Sequence, residues 1–464
     1  MAGPRTRFVQ AFHARVHWSS PGVFVASFAG LIGVGMVILR LPVSGAGGAH
    51  VPLVDALFQS TSAVCVTGLA AIDIGTRLAT FGQVTILSLI QLGGLGIMTY
   101  SLLLVTFVQR RGSPDQREWL ANVITTDRKL PPARMLRWIV FSTFSVEAVG
   151  ALVLWLAFWR DLGPGEGAYF SVFHAISAYC NAGFSLFSTN LMGYRDDALV
   201  NVVVCLLIVI GGLGFIVTFE LWRWMTGRRR WFKLLVQTKL MLVMTTVFIL
   251  GGATIILLFE FSHAFAPFGW KARILGSFFQ SITARTAGFN TLDIGRLVTP
   301  TLLVLIALMF VGAGSGSCAG GVKLTTFGVL IMMVLSRLKG SPRPQVWHRS
   351  VPIATVGRAG ALLSGAVLII MLGTLALHIT EGWGLQQGVP RGMFLDLLFE
   401  TTSAWGTVGL STGITPRLTS AGKIVLVAVM FIGRVGPLTL VAVLLRRIEQ
   451  RAGITYPEED VMVG

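Results

Sequence analysis

The chain has 464 residues, of which 54% are hydrophobic and only 12% charged, with a formal net charge of +17. Apolar sequence in such long runs excludes a water-soluble core and points to a polytopic membrane protein. The four cysteines, Cys65, Cys180, Cys205 and Cys318, have no CxxC or metal-ligand spacing and imply no disulfide framework.

In chain order the long apolar segments fall at 22–42, 79–108, 135–159, 197–225, 236–262, 299–337, 352–380 and 421–448. Each can cross a hydrocarbon layer of about 30 Å. Arg5, Arg7 and Arg15 precede the first segment and no Ala-x-Ala-like cleavage site follows it, so no signal peptide is expected. Lys and Arg concentrate on alternate loops: residues 1–20, 109–138, 222–240, 335–360 and 446–451 together hold 24 of the 37. By the positive-inside rule both termini are cytoplasmic. The positive charge therefore reads as membrane orientation, and no nucleic-acid partner is expected.

Each pair of long segments encloses a shorter and more polar one: FQSTSAVC (58–65), FHAISAYC (173–180), FFQSITAR (278–285) and FETTSAWG (399–406). These lead into Val66-Thr67-Gly68-Leu69, Asn181-Ala182-Gly183-Phe184, Thr286-Ala287-Gly288-Phe289 and Thr407-Val408-Gly409-Leu410. Ten residues separate Phe58, Phe173, Phe278 and Phe399 from their glycines, and the glycines stand 115, 105 and 121 residues apart (68 to 183, 183 to 288, 288 to 409). Such self-similarity predicts four tandem repeats of helix, re-entrant pore loop and helix. The expected fold is an all-α polytopic membrane protein with the four repeats arranged pseudo-fourfold around one central pore. The divisions are a 1–21 N-terminus, repeat 1 over 22–108, a loop at 109–134, repeat 2 over 135–225 and a loop at 226–235. Repeat 3 spans 236–337, followed by a loop at 338–351, repeat 4 over 352–448 and a 449–464 C-terminus.

The second span of each repeat has its own signature. Repeats 1 and 2 carry Gly93-Gly94-Leu95-Gly96 and Gly211-Gly212-Leu213-Gly214, which suit either close helix packing or a pore-facing role. In repeat 3 the span from Thr299, a candidate N-cap before Pro300, to Arg337 is 39 residues, roughly 58 Å of helix, too long for one crossing. Its interruption is the run 312–321, GAGSGSCAGG, followed by Lys323. Irregular backbone at membrane depth survives only when buried in protein or lining a wet cavity, which places this loop in the pore. Gly314, Gly316 and Ala319 fit a dinucleotide fingerprint, but no Asp or Glu occurs between 294 and 380 to meet a ribose. Repeat 4 carries Gly433-Arg434-Val435-Gly436, and an arginine inside a span faces a bundle interior or water.

Four converging backbone segments can replace the water of a dehydrated potassium ion with carbonyl oxygens. Half-helices ending there aim their negative ends at the cation. Asp73, Asp196, Asp197 and Asp293 on the outer side either enrich cations or are solvated loop charges, and Glu147 and Glu260 either pair with arginines or serve transport.

On these motifs the whole chain resembles the Trk/Ktr/HKT superfamily of potassium transporters and, lacking an extra N-terminal helix pair, looks most like its KtrB-type members. The resemblance implies a channel-like potassium pore. Its selectivity filter would be Val66, Thr67, Gly68, Asn181, Ala182, Gly183, Thr286, Ala287, Gly288, Thr407, Val408 and Gly409, whose carbonyls bind K+. It also implies an intramembrane gate with Gly312, Gly314, Gly316, Gly320, Gly321, Lys323 and Arg434. A homodimer on a cytoplasmic KtrA-like RCK ring follows, in a bacterial plasma membrane, with ATP or ADP acting only through that partner and Na+ as an activator. No covalent cofactor and no enzyme activity are expected. A secondary carrier with alternating access is the first alternative; its signature would be inverted repeats with helices broken at matching places in two halves, whereas only one broken span is read here. A non-transporting subunit of an enzyme complex is the second, and the scattered histidines argue against its haem-ligand pairs.

Overall fold

The computed structural model describes residues 20–111, 132–382 apart from 229, 342 and 348, and 392–436. The expectations for the N-terminus, most of the 109–134 loop, the end of the last span with Arg446 and Arg447, and the C-terminus lie outside these residues.

The described residues are overwhelmingly helical. Repeat 1 contains α1 (Ser20–Leu39), the short α2 (Leu53–Val64) and the long α3 (Thr80–Arg111). In repeat 2 the first span and the short helix form one run, α4 (Pro132–Tyr179), broken at Gly163, whose φ of 80° and ψ of 176° are not helical. Pro164 follows at the start of the second arm, where a missing N–H costs no helical bond. Next come α5 (Ala198–Leu213) and α6 (Phe215–Met225). Repeat 3 has α7 (Val236–Glu260), α8 (Trp270–Thr283), α9 (Thr299–Phe310) and α10 (Leu324–Leu338). Between the last two repeats, β1 (Gln345–Val346) pairs antiparallel with β2 (Arg349–Ser350), a small hairpin within the expected loop. Repeat 4 has α11 (Ile353–Gly382), α12 (Met393–Gly406) and α13 (Ser420–Val435).

The break in repeat 3 falls where the length argument puts it: α9 and α10 have 12 and 15 residues, each too short to cross alone. Thr299 is the first helical residue rather than the cap. Val298 precedes it and donates its N–H to Glu260 Oε1 at 2.9 Å. A second break was not foreseen. Helices α5 and α6 meet at Gly214 (φ 86°, ψ 153°) with a bend of 107°. The expectation of only one broken span is corrected accordingly.

Packing between repeats closes on itself. Helix α3 lies against α4, α5 against α8, α9 against α12, and α13 returns to α2. That last contact carries an ion pair, Lys423 Nζ to Asp55 Oδ1 at 2.7 Å. Apolar side chains on the outer faces stay exposed, among them Val247, Leu250 and Leu258 on α7 and Leu368, Met371 and Leu375 on α11. Buried polar side chains collect inside, along the four short helices and the segments that follow them.

Candidate functional site

The four short helices α2, the second arm of α4, α8 and α12 all end just before the glycine segments. Hydroxyl groups in their last turns hold the backbone beyond: Ser62 Oγ donates to Leu69 O (2.7 Å), Ser177 Oγ to Phe184 O (2.8 Å) and Thr283 Oγ1 to Phe289 O (2.7 Å). Ser403 Oγ accepts from Gly409 N at 3.1 Å, as Ser62 Oγ accepts from Gly68 N. These bonds expose a register difference. In repeat 3 the anchoring hydroxyl stands five residues before the glycine, not six, so the residue matching Phe58, Phe173 and Phe399 is Phe279. Phe279 is buried while Phe278 is 37% exposed, so the ten-residue spacing from Phe278 arises only because two phenylalanines are adjacent.

The backbone of the four segments is alike. Val66, Asn181, Thr286 and Thr407 have φ of 55°, 58°, 77° and 49°, and Gly68, Gly183, Gly288 and Gly409 have φ of 97°, 69°, 78° and 94°. Left-handed residues two apart turn successive carbonyls toward the same side. Space is as restrictive as φ at the glycines. A Cβ on Gly68 would fall 2.3 Å from Ala182 O, on Gly183 2.5 Å from Ala287 O, on Gly288 2.4 Å from Val408 O and on Gly409 2.3 Å from Thr67 O. The contacts run from repeat 1 to 2 to 3 to 4 and back to 1. All twelve expected residues are therefore brought together, and the hydroxyls of Thr67, Thr286 and Thr407 are buried with no protein partner.

Next to this ring the second spans divide their glycines between two tasks. Gly93, Gly211 and Gly433 seat their helices on the ends of the short ones, where a Cβ would fall 2.1 Å from Val64 O, 1.9 Å from Tyr179 O and 2.0 Å from Trp405 O. The next residues, Gly94, Gly212 and Arg434, face the 312–321 loop: Gly94 lies by Cys318, Gly212 by Ala313, and Arg434 bonds to Cys318 O. Packing and interior roles thus belong to adjacent residues.

The 312–321 loop fills the middle of this layer. Gly312 N–H donates to Val322 O (2.9 Å), Gly314 N–H to Gly212 O (2.9 Å) and Leu324 N–H to Ala313 O (3.1 Å). Phe215 N–H, freed by the break at Gly214, donates to Gly316 O at 3.2 Å. Gly320 sits against repeat 4, where a Cβ would fall 2.9 Å from Gly406 O. Two cations hold the loop: Lys323 Nζ donates to Ala319 O, and Arg434 donates through Nη1 to Cys318 O and through Nη2 to Gly93 O (3.1 Å). Every expected loop residue, with Arg434, is in this one assembly.

The family profile described as TrkH, cation transport protein, matches residues 12–453. The chain belongs to that family. This TrkH-family chain is 37% identical over 453 residues to the Ktr system potassium uptake protein B of Bacillus subtilis, covering 97% of the chain and 98% of the relative. It is 36% identical to the protein of the same name from Vibrio alginolyticus (96% and 95% covered). To the potassium/sodium uptake protein NtpJ of Enterococcus hirae it is 34% identical (95% and 96% covered). In fold it matches the crystal structure of the potassium transporter TrkH from Vibrio parahaemolyticus, with a TM-score of 0.73, 19% identity, and 93% and 86% of the two chains covered.

Other residues of the TrkH-family chain were missed or read differently from sequence. Glu400, fully buried on α12, accepts from Ser411 Oγ (2.5 Å), Thr412 N–H (3.1 Å) and Thr415 Oγ1 (2.6 Å), tying down the segment that leaves Gly409. His174 does the same in repeat 2: Nδ1 donates to Phe170 O (2.7 Å), so the neutral ring accepts at Nε2 from Ser185 Oγ (2.9 Å). Gln59 and Gln280 hold the equivalent places in repeats 1 and 3, and neither amide has a protein partner. The signal was available, since a polar residue follows each buried phenylalanine. Of the outer acids, Asp73, Asp197 and Asp293 are helix caps, accepting from Gly75, Leu199 and Gly295 N–H at 2.9, 2.8 and 3.1 Å. Glu147 accepts from Gln91 Nε2 (3.1 Å) and Glu260 from backbone N–H groups, so neither pairs with an arginine among the described residues.

Proposed function

We propose that this chain takes up potassium ions through a channel-like pore whose four repeats are arranged pseudo-fourfold around one axis. The observation that carries the reading is the cyclic contact of the four glycine segments, each glycine closed against the preceding residue's carbonyl in the next repeat. Carbonyls of Thr67, Ala182, Ala287 and Val408, with their neighbours, replace the water of K+. The dipoles of the four short helices add negative potential there. The names of three full-length relatives, all potassium or potassium/sodium uptake proteins, agree with that cargo.

In this reading the 312–321 loop is the gate and Arg434 its latch. A fixed guanidinium under the filter repels an incoming cation, and its two carbonyl bonds hold the loop across the path. The chain acts as a homodimer in a bacterial plasma membrane with both termini cytoplasmic. A cytoplasmic KtrA-like RCK ring that senses ATP or ADP sets the gate, and sodium stimulates flux. Support for a partner comes from the "Ktr system" names of the relatives. The two broken spans do not favour a carrier, because both occur just past the glycine segment of consecutive repeats rather than at inverted positions.

The test is rubidium uptake into proteoliposomes holding the purified full chain, with and without sodium. Rubidium entry that potassium competes away and sodium accelerates is expected. Uptake no faster than in empty liposomes would overturn the reading.

A further inference from the structure

Arg285 stands one residue before the third glycine segment and is 5% exposed. Among the described residues the other cations packed into the core each have a partner: Arg434 and the half-buried Lys323 hold carbonyls, and Lys423 holds Asp55. Arg285 differs. Its Nε is buried without an acceptor, and no hydrogen bond or ion pair reaches its guanidinium from any described residue. Among the described residues the buried carboxylates are engaged elsewhere: Glu147 with Gln91, Glu220 with Thr238, Glu260 with Val298 N–H and Glu400 with Ser411.

An uncompensated guanidinium in a membrane protein interior is among the most costly arrangements available, and arginine does not escape it by losing its proton. Here it also lies beside a segment proposed to hold a cation. Arg285 lines a small cavity together with Thr245, Gly212, Ile282 and Ala313. No Asp or Glu lies on its wall. The cavity is small, with about 10 Å³ open to the centre of a water-sized body.

We propose that Arg285 and Thr245 form a binding site for a single monatomic anion of the halide class, chloride under ordinary conditions. The guanidinium supplies charge and N–H donors, and the Thr245 hydroxyl a further donor. The wall makes the choice of ligand: its polar side chains are Arg285 and Thr245, too few to satisfy the oxygens of phosphate or sulfate, and the rest of the lining is apolar. The anion restores neutrality behind the third filter segment. It also meets Gly212, whose carbonyl accepts from Gly314 N–H at the head of the 312–321 loop, and Ala313 beside that bond. Bound halide therefore steadies the loop in its observed place. Only this consequence for flux rests on the proposed function; the site itself can be tested without transport.

The first test is anomalous diffraction from crystals of the full chain grown in bromide. A single bromine peak between Arg285 and Thr245 is expected, and a light-atom peak alone, an ordered water, overturns the proposal. The second is thermal unfolding of the detergent-solubilised chain at fixed potassium, in chloride against gluconate. Chloride should raise the unfolding temperature of the wild type and leave Arg285→Gln unchanged. Thr245→Val, which keeps the charge, should raise the half-saturating chloride about tenfold, the worth of one hydrogen bond to a charged group. Equal unfolding temperatures of the wild type in the two salts overturn the site. Should Arg285→Gln not fold, the Thr245→Val shift decides, and its absence counts against the proposal.

Discussion

The ring of glycine segments and the layer against it obey opposite rules. In the ring the four repeats are nearly interchangeable: the same two left-handed positions, the same glycine against the same neighbouring carbonyl, and a hydroxyl anchor in the last turn of each short helix, one residue nearer the glycine in repeat 3. In the adjoining layer the repeats diverge, although α5 and α13 both end on a left-handed glycine, Gly214 and Gly436. Helix α3 runs straight through, α5 breaks at Gly214, repeat 3 unwinds over 312–321 and repeat 4 inserts Arg434. Coordinating a spherical ion rewards symmetry, since each oxygen does equal work. Closing a path rewards asymmetry, since one repeat must supply the obstruction and the others must leave room for it.

The sharpest way to break the symmetric half is to give one glycine a side chain. Gly288→Ser forces a Cβ to within 2.4 Å of Val408 O at a φ of 78°. Left-handed backbone alone costs about 1–2 kcal/mol, and displacement of the neighbouring carbonyl adds to it. Rubidium-over-sodium selectivity in liposomes is expected to fall by at least about tenfold. Serine in turn at Gly68, Gly183 and Gly409 should do the same, and unchanged selectivity at all four would disprove the assignment.

The asymmetric half is probed at Arg434. Arg434→Ala removes two charge-assisted bonds, one to the loop and one to Gly93, each worth about 1.5–3 kcal/mol. Basal flux per folded protein should rise severalfold or more, with selectivity retained. Arg434→Lys keeps the charge and part of the block but cannot fork between two carbonyls. Flux at or below wild type for the alanine variant would make the residue structural.

A third change asks whether the ring tolerates a loosened wall. Glu400→Gln keeps the shape but turns one acceptor into a donor facing the Ser411–Thr415 segment. The concentration of potassium at half-maximal uptake should rise a fewfold while maximal flux changes less. Glu400→Asp should recover part of the loss. Equal effects on both kinetic constants would point to misfolding instead.

The smallest effect is expected outside both regions, at the Lys423–Asp55 pair, whose side chains are 11% and 17% exposed. A double-mutant cycle with Lys423→Met and Asp55→Asn should return a coupling of about 1 kcal/mol in unfolding experiments, weaker at high salt. Selectivity should not move.

The symmetric half was legible in the sequence and the asymmetric half only in outline. Four glycines after four polar half-helices stand out because backbone conformation and close approach both demand glycine there. The register in repeat 3 was hidden by Phe278 and Phe279, either of which satisfies a pattern; only burial and the Thr283 bond choose between them. Gly93-Gly94-Leu95-Gly96 and Gly211-Gly212-Leu213-Gly214 show the limit most clearly. The letters are the same, yet the first stays helical and the second bends by 107°. What differs is not local: Gly316 O lies where it can accept the N–H of Phe215, so the loop of one repeat compensates the break in another. Glu400 was passed over because its value comes from Ser411 and Thr415, residues whose approach depends on the finished turn.

The Lys423–Asp55 contact joins residues 368 positions apart. At about 5–20 residues per second, the ribosome delivers Lys423 roughly 20 to 70 s after Asp55. Helix α2, with its carboxylate and buried glutamine, is therefore inserted well before its partner α13 is made. For that interval repeat 1 is an unclosed wedge whose α2 face awaits α13. Its lifetime in the cell depends on how soon the last repeat arrives.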